Sequence, residues 1–145
     1  MPKVSVIIPV YGVERYVGRC ARSLFGQTMA DLEFIFVDDC TPDDSIAVLL
    51  KTLDDYPDRK HQVRVIRHDR NQGVAAARTT GMKAMTGEYM IHCDPDDWIE
   101  PDMYERMYDA ARTHDADVVT CRYYEDGVSA SSVKGFCHSG RAIDV

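Results

Sequence analysis

The segment His92-Cys93-Asp94-Pro95-Asp96-Asp97-Trp98 sets three carboxylates within four residues, directly after an apolar, strand-like run, Glu88-Tyr89-Met90-Ile91. In an extended segment, residues two apart point the same way, so Asp94 and Asp96 can converge on one ligand while Pro95 stiffens the backbone between them. Hard oxygen donors with open positions suit magnesium or manganese, ions that also hold substrate phosphates. Read alone, a D-x-D match is weak. A solvated acidic turn in which Asp97 or Glu100 caps a helix is the commoner meaning of such a cluster.

Other residues could complete a site. Asp38 and Asp39 follow Phe34-Ile35-Phe36-Val37 and should face opposite ways, one entering a pocket while the other braces the loop. A carboxylate at a strand end is a good acceptor for a ring N–H such as uracil N3–H, since a mismatched base leaves it unpaired. Solvation, or capping of a helix near Thr41, is the equal alternative. Tyr11 could stack on a base or ribose, with Pro9 fixing the strand exit, although a lone tyrosine more often only packs. Asn71 is placed to cap a helix starting near Gly73, leaving its amides free for a diphosphate. Arg78 suits a phosphate or a site carboxylate as well as it suits an exposed helix face.

These residues need a scaffold that brings them to one edge. Five short apolar or β-branched runs, at 4–10, 33–37, 63–67, 88–93 and 117–123, alternate with helical segments long enough for right-handed crossovers. The alternation predicts an α/β fold, a mostly parallel sheet with helices on both faces, over residues 1–124. In such sheets ligands bind outside the carboxyl ends of the strands, where Pro9-Val10-Tyr11-Gly12, Asp38-Asp39 and Asp94-Pro95-Asp96-Asp97 all fall. Thr41-Pro42-Asp43-Asp44 reads as a helix start, Pro101-Asp102 as another, and Gly87 as a left-handed helix terminus. Ala75, Ala76, Ala77 and Gly81 should allow close helix-to-sheet approach.

The 145 residues are 45% hydrophobic and 28% charged, enough for one core, and the net charge of -7 gives no footprint for nucleic acid. Five cysteines without C-x-x-C spacing suggest reduced, structural thiols and hence a cytoplasmic location. Pro9 interrupts the first apolar run too early for a signal-peptide core, and no stretch approaches membrane-spanning length. A glycine-rich basic phosphate loop, a receiver-type acidic pocket after the first strand, and G-x-G-x-x-G near the first turn are all lacking, which disfavours nucleotidyltransferase, phosphoacceptor and dehydrogenase readings.

Taken together, Val4-Ser5-Val6-Ile7-Ile8-Pro9-Val10-Tyr11, Ser23-Leu24-Phe25-Gly26-Gln27-Thr28, Val37-Asp38-Asp39, Asn71-Gln72-Gly73-Val74-Ala75-Ala76-Ala77-Arg78, Thr86-Gly87-Glu88-Tyr89 and Asp94-Pro95-Asp96-Asp97-Trp98 resemble the amino-terminal half of glycosyltransferase family 2. The likeness runs from residue 3 to about residue 113, and its strength lies in order and spacing. It implies the Rossmann-like, nucleotide-binding half of a GT-A fold and inverting transfer from a nucleotide-sugar, a UDP-sugar by preference, to a glycan or glycolipid acceptor in polysaccharide or glycolipid synthesis. Pro9, Val10 and Tyr11 would border the base, and Asp39 would accept uracil N3–H. Asp94 would face the ribose or the water shell of a bound Mn2+ or Mg2+, with Asp96 its direct ligand. Arg78 would line the donor pocket, and Trp98 would pack beneath the site.

The sequence departs from the family at Gly12, Cys40, Pro42 and Thr79, where asparagine, glycine, threonine and asparagine are usual. None removes a proposed metal ligand. The family's catalytic base comes from a later, acceptor-binding half, and only about fifty residues follow Asp94, so no base is assigned. Residues 125–145, with Gly127, Ser129, Ser131, Ser132, Gly135 and Gly140, read as the start of an irregular or truncated acceptor-side region. The alternative function is a donor-binding module that holds nucleotide-sugar without completing transfer. Peripheral attachment at the inner face of the membrane is compatible with either.

Overall fold

Apolar runs without polar alternation are stable as strands only where both faces are covered. In the computed structural model, which describes residues 1–123 and 142–144, β1 (Val4–Val10) and β2 (Leu32–Asp38) are buried along their whole length. They form the centre of a four-stranded sheet with β3 (Val63–Arg67) and β4 (Tyr89–His92) at its edges. The order is β3-β2-β1-β4 and every pairing is parallel.

Alternating side chains of β2 show how the two faces are covered. Phe34 and Phe36 meet Phe25 of α1 (Val17–Phe25) edge to face, with ring centroids 5.5 and 6.2 Å apart. Such pairs contribute about 0.5–1.5 kcal/mol each beyond burial. Ile35 and Val37 pack instead with Ala77 of α3 (Val74–Ala84). α3 comes close to the sheet because Gly81 has no Cβ, which would otherwise collide with the side chain of Ile7.

Several local expectations need correcting. α2 (Ser45–Asp54) begins three residues later than Pro42 suggested, with Asp44 as its N-cap and no side-chain cap bond; Asp43 ties the entry together, its Oδ1 accepting from Ser45 N (3.1 Å), Ser45 Oγ (2.5 Å) and Thr41 Oγ1 (2.7 Å). Gly87 is not left-handed; among the described residues the glycines with positive φ are Gly12 and Gly73. Gly87 is required for a different reason, since a Cβ there would lie 2.6 Å from Ser5 Oγ and 2.8 Å from Ser5 N.

The chain divides into two compact units, Met1–Pro101 and Asp102–Val145. In the second, α4 (Met103–His114) ends at Asp115, which is left-handed at φ 49°, ψ 48°. The fifth strand is shorter than expected, β5 (Val118–Thr120), and pairs in parallel with β6 (Ala142–Asp144) in a separate two-stranded sheet. Apart from β6, the irregular region expected over 125–145 lies outside the described residues. Among those described, no helix is long and apolar enough to cross a membrane.

From β1 the chain moves to β2 and then β3 on one side, whereas β4 returns to the other side of β1. The direction of winding therefore reverses between β1 and β4, and a crevice opens at their carboxyl ends.

Candidate functional site

The ends of β1, β2 and β4, with α3, supply the walls of this crevice. After β1 the backbone turns through Gly12 at φ 66°, a left-handed position that glycine and asparagine tolerate best. The turn is tied to the segment following β2: Gly12 N donates to Thr41 Oγ1 (2.8 Å), Val13 N to Ser45 Oγ (3.0 Å) and Glu14 N to Asp43 Oδ2 (3.1 Å). Burial disfavours the Asp43 anion, but the donors of Ser45, Thr41 and Glu14 outweigh it and bring this carboxyl down to about 2.

The acidic pair after β2 splits its work. Asp38 braces the loop, accepting from Thr41 N at 2.8 Å and pairing with Arg67 at 3.3 Å. Asp39, only 2% exposed, faces the crevice with its carboxylate already held from behind. Its Oδ1 meets His68 Nδ1 (2.7 Å) and Gln72 N (2.9 Å), and its Oδ2 accepts from Gly73 N (2.7 Å). Burial pushes toward the neutral acid, but the His68 hydrogen bond and these two amides hold Asp39 below the usual carboxylate range.

That arrangement overturns the capping role expected of Asn71. The N-cap of α3 is Gly73, at φ 90° and ψ 162°, without a side-chain cap bond. This backbone conformation is open essentially to glycine alone. It turns the amides of Gln72 and Gly73 onto Asp39, so they are not free for a diphosphate.

The D-x-D segment is likewise not extended. Asp97 N donates to the Asp94 carbonyl at 3.0 Å, closing a turn with Pro95 at its second position, where proline's fixed φ fits best. Asp94 and Asp96 nevertheless both border the crevice. Asp94 Oδ1 is 2.6 Å from the Arg78 guanidinium, and Asp96 is exposed. Burial, followed by the charges of Asp96 and Asp94, raises the Asp97 carboxyl above its usual range. Negative charge is thus concentrated beside the crevice. Asp97 and Glu100 cap no helix, since α4 starts from Asp102.

The turn is held from below. Cys20 of α1 and Cys93 stand 3.9 Å apart, sulfur to sulfur, and each thiol approaches the Asp94 carbonyl at 3.7 Å. The hydrogen bond to Cys93 and burial keep Cys20 a thiol, raising it well above the ordinary cysteine range. Gln27 Nε2 donates to the Glu100 carbonyl at 2.6 Å, and Ile99 N donates to Ser23 Oγ at 3.3 Å. Trp98 does not border the crevice; the Arg19 guanidinium lies over its ring at 3.2 Å.

The crevice is about 440 Å³ in volume, within the size range of small-molecule sites. It gathers Pro9, Val10 and Tyr11 from the end of β1 and the residue after it, Asp39 from just beyond β2, Asn71 and Arg78 from the approach to and body of α3, and Asp94 and Asp96 from the turn after β4. Tyr11 is 50% exposed, with room for a stacking partner. Within the crevice region Arg78 Nε and His92 Nδ1 are buried without a hydrogen-bond partner, and burial together with the Arg78 charge lowers the His92 imidazole. The described residues contain no group of three or more His, Cys, Asp or Glu suited to a metal ion. Two carboxylates with open positions fit an ion that keeps water and phosphate oxygens as its remaining ligands.

His68 and Thr80 were not singled out by the sequence, although His68 directly follows β3 at the same carboxyl edge. Its Nε2 is 2.8 Å from Thr80 Oγ1 on α3.

Known proteins share this framework. The chain is 39% identical over 125 residues to an uncharacterized glycosyltransferase of Bacillus subtilis, EpsJ, covering 86% of this chain and 35% of that protein. Against a chondroitin synthase of Escherichia coli the identity is 35% over 112 residues, covering 77% and 16%. The crystal structure of S. aureus TarS 1-349 in complex with UDP-GlcNAc superimposes with a TM-score of 0.78 at 25% identity, covering 90% of this chain and 37% of that one. The chain thus spans 16% to 41% of the length of the curated relatives it matches. The Glycosyl transferase family 2 model matches residues 5–134, and with the GT-A-type sheet and crevice described above this establishes that the chain belongs to glycosyl transferase family 2.

Proposed function

We propose that this chain is the donor-binding part of an inverting, metal-dependent glycosyltransferase that takes its sugar from a UDP-sugar. The observation that carries the reading is the gathering of a ring N–H acceptor, an exposed aromatic, an arginine and two carboxylates around one crevice at the switch point of the sheet. The UDP-GlcNAc bound by the TarS neighbour supports the choice of nucleotide.

In this reading Asp39 accepts the N3–H of uracil at Oδ2, and Tyr11 stacks against the base or ribose. Arg78 shifts part of its charge from Asp94 to the diphosphate, with which its buried Nε can also pair. Asp94 takes a ribose hydroxyl or a metal-bound water, while exposed Asp96 ligates Mn2+ or Mg2+ directly. The ion, when bound, stabilises the negative charge that builds on the leaving diphosphate. The protein's own contribution is to fix the donor so that an acceptor hydroxyl reaches the anomeric carbon from the opposite face, which inverts its configuration.

The chondroitin synthase relative supports a glycan acceptor in polysaccharide synthesis, with a glycolipid as the alternative. The thiol pair Cys20 and Cys93, hydrogen-bonded at 3.9 Å, fits a reducing, cytoplasmic setting. Calorimetric titration of UDP with and without Mn2+, paired with a UDP-release assay in acceptor mixtures, tests the function. Metal-enhanced UDP binding with release is expected of a transferase. Binding without release would identify a donor-binding module, and no binding would remove the donor-site reading.

A further inference from the structure

Asp39 faces the crevice, but most of its acceptor capacity is turned away from it. An ionised carboxylate offers about four lone-pair directions. Three are occupied by His68 Nδ1, Gln72 N and Gly73 N, at 2.7, 2.9 and 2.7 Å. Oδ1 is saturated by two of these donors, and one direction remains on Oδ2. His68 does not border the crevice and is 8% exposed. It stands behind Asp39, tied to β2 by its own amide, which donates to the Asp38 carbonyl at 2.8 Å, and to α3 through Thr80 Oγ1 at 2.8 Å.

We propose that His68 is a specificity-determining positioning residue: by donating Nδ1–H to Asp39 it leaves the carboxylate a single acceptor, aimed at a ring imide N–H. This rests on the donor-site reading above and deepens it. The amides of Gln72 and Gly73 fix where the carboxylate sits, but on Oδ1 only His68 completes the set. Without it, Oδ1 regains a free lone pair and the carboxylate can rotate or take up water. Uracil presents N–H at ring position 3, whereas cytosine presents an acceptor there. An acceptor-only anion held in one orientation therefore rewards the first and repels the second. A donor lost from behind Asp39 should blur that distinction while leaving Asp96 and its turn untouched.

The test compares His68→Leu with His68→Asn, two side chains of nearly the same shape of which only asparagine can donate to Asp39. UDP and CDP are titrated calorimetrically into the whole chain with Mn2+ present, and folding is checked by thermal unfolding. His68→Leu is expected to reduce the UDP-to-CDP affinity ratio about tenfold, mainly through UDP, and His68→Asn to recover most of it. In the wild-type chain, UDP and not CDP should move the Nδ1 resonance of His68, a measurement that needs no variant. An unchanged ratio in His68→Leu, equal loss in both variants, or a His68 signal indifferent to UDP overturns the proposal while the donor site stands. If the wild-type chain binds neither nucleotide, the donor-site reading fails first and this proposal fails with it.

Discussion

Two buried carboxylates at opposite ends of β2 use the same device to different ends. Glu33, near the amino end, gathers Ser5 Oγ (2.5 Å), Thr86 N (2.5 Å), Thr86 Oγ1 (3.0 Å) and Gly87 N (3.2 Å) on Oε1, with Arg64 3.5 Å from Oε2. Asp39, beyond the carboxyl end, gathers His68, Gln72 N and Gly73 N. For both groups burial favours the neutral acid and is outweighed by donors, so both titrate below their usual ranges. The difference lies in what is left over. Glu33 is enclosed by its donors and staples β1, β2 and the segment entering β4, whereas Asp39 keeps one face on a crevice. The same device is thus enclosed within the structure at one end of β2 and borders an open crevice at the other, the edge where ligands of parallel sheets bind.

Substitutions should separate the two roles. Glu33→Ala leaves the buried Ser5 hydroxyl and the Thr86 donors without their shared acceptor and is expected to lower stability by about 3 kcal/mol in chemical denaturation, with the UDP affinity of the folded protein unchanged. Asp39→Asn should cost about 2 kcal/mol of UDP affinity by calorimetry, since a charge-assisted acceptor is lost, with a smaller effect on stability. Equal effects of both variants on UDP would erase the distinction.

Acid should act on both ends alike. A folded carboxyl depressed below its unfolded value contributes stability above the unfolded pKa and loses it as pH falls through the folded one. For Glu33 the unfolded value is 4.5, so stability should begin to fall below about pH 4.5, and Glu33→Gln should remove that part of the slope. Asp43 should add a later loss between 3.8 and about 2. Denaturant midpoints from pH 7 to pH 2 check the order. The smallest effect concerns Cys40, left-handed at φ 57°, where the family's usual glycine carries no steric cost. Cys40→Gly is expected to stabilise the loop behind Asp39 by about 1 kcal/mol, read in the same denaturation experiment.

Much of the site was legible because the order of strands tells which residues reach the carboxyl edge. That rule brings Tyr11, the Asp38-Asp39 pair and the Asp94-to-Asp97 cluster to one edge without any knowledge of side-chain contacts, whereas the choice of Asp39 and Asp96 within them rests on the family resemblance. What escaped depended on backbone detail. Pro95 suits the stiffening of an extended segment, but its fixed φ also suits the second position of a turn, which is what forms. Asn71 looked like a cap, but the conformation of Gly73 gave the neighbouring amides to Asp39. His68 carries no motif, and its role exists only because β3 ends where Asp39 and Thr80 converge. The Ser23-to-Thr28 segment was legible only as a resemblance. The structure gives it a task, holding the chain after the D-x-D turn through Ser23 and Gln27. The fifth strand was found but misassigned in context, since three residues of pairing carry no sign of which sheet they join.

In the proposed donor site the crevice holds a nucleotide diphosphate through a metal ligated by Asp96. Titrating UDP with Mn2+ into the wild-type chain and into Asp96→Ala, with thermal unfolding as the control for folding, tests it most directly. The variant is expected to fold normally and to lose the metal-dependent part of UDP binding. Unchanged UDP and Mn2+ affinities in Asp96→Ala would contradict it.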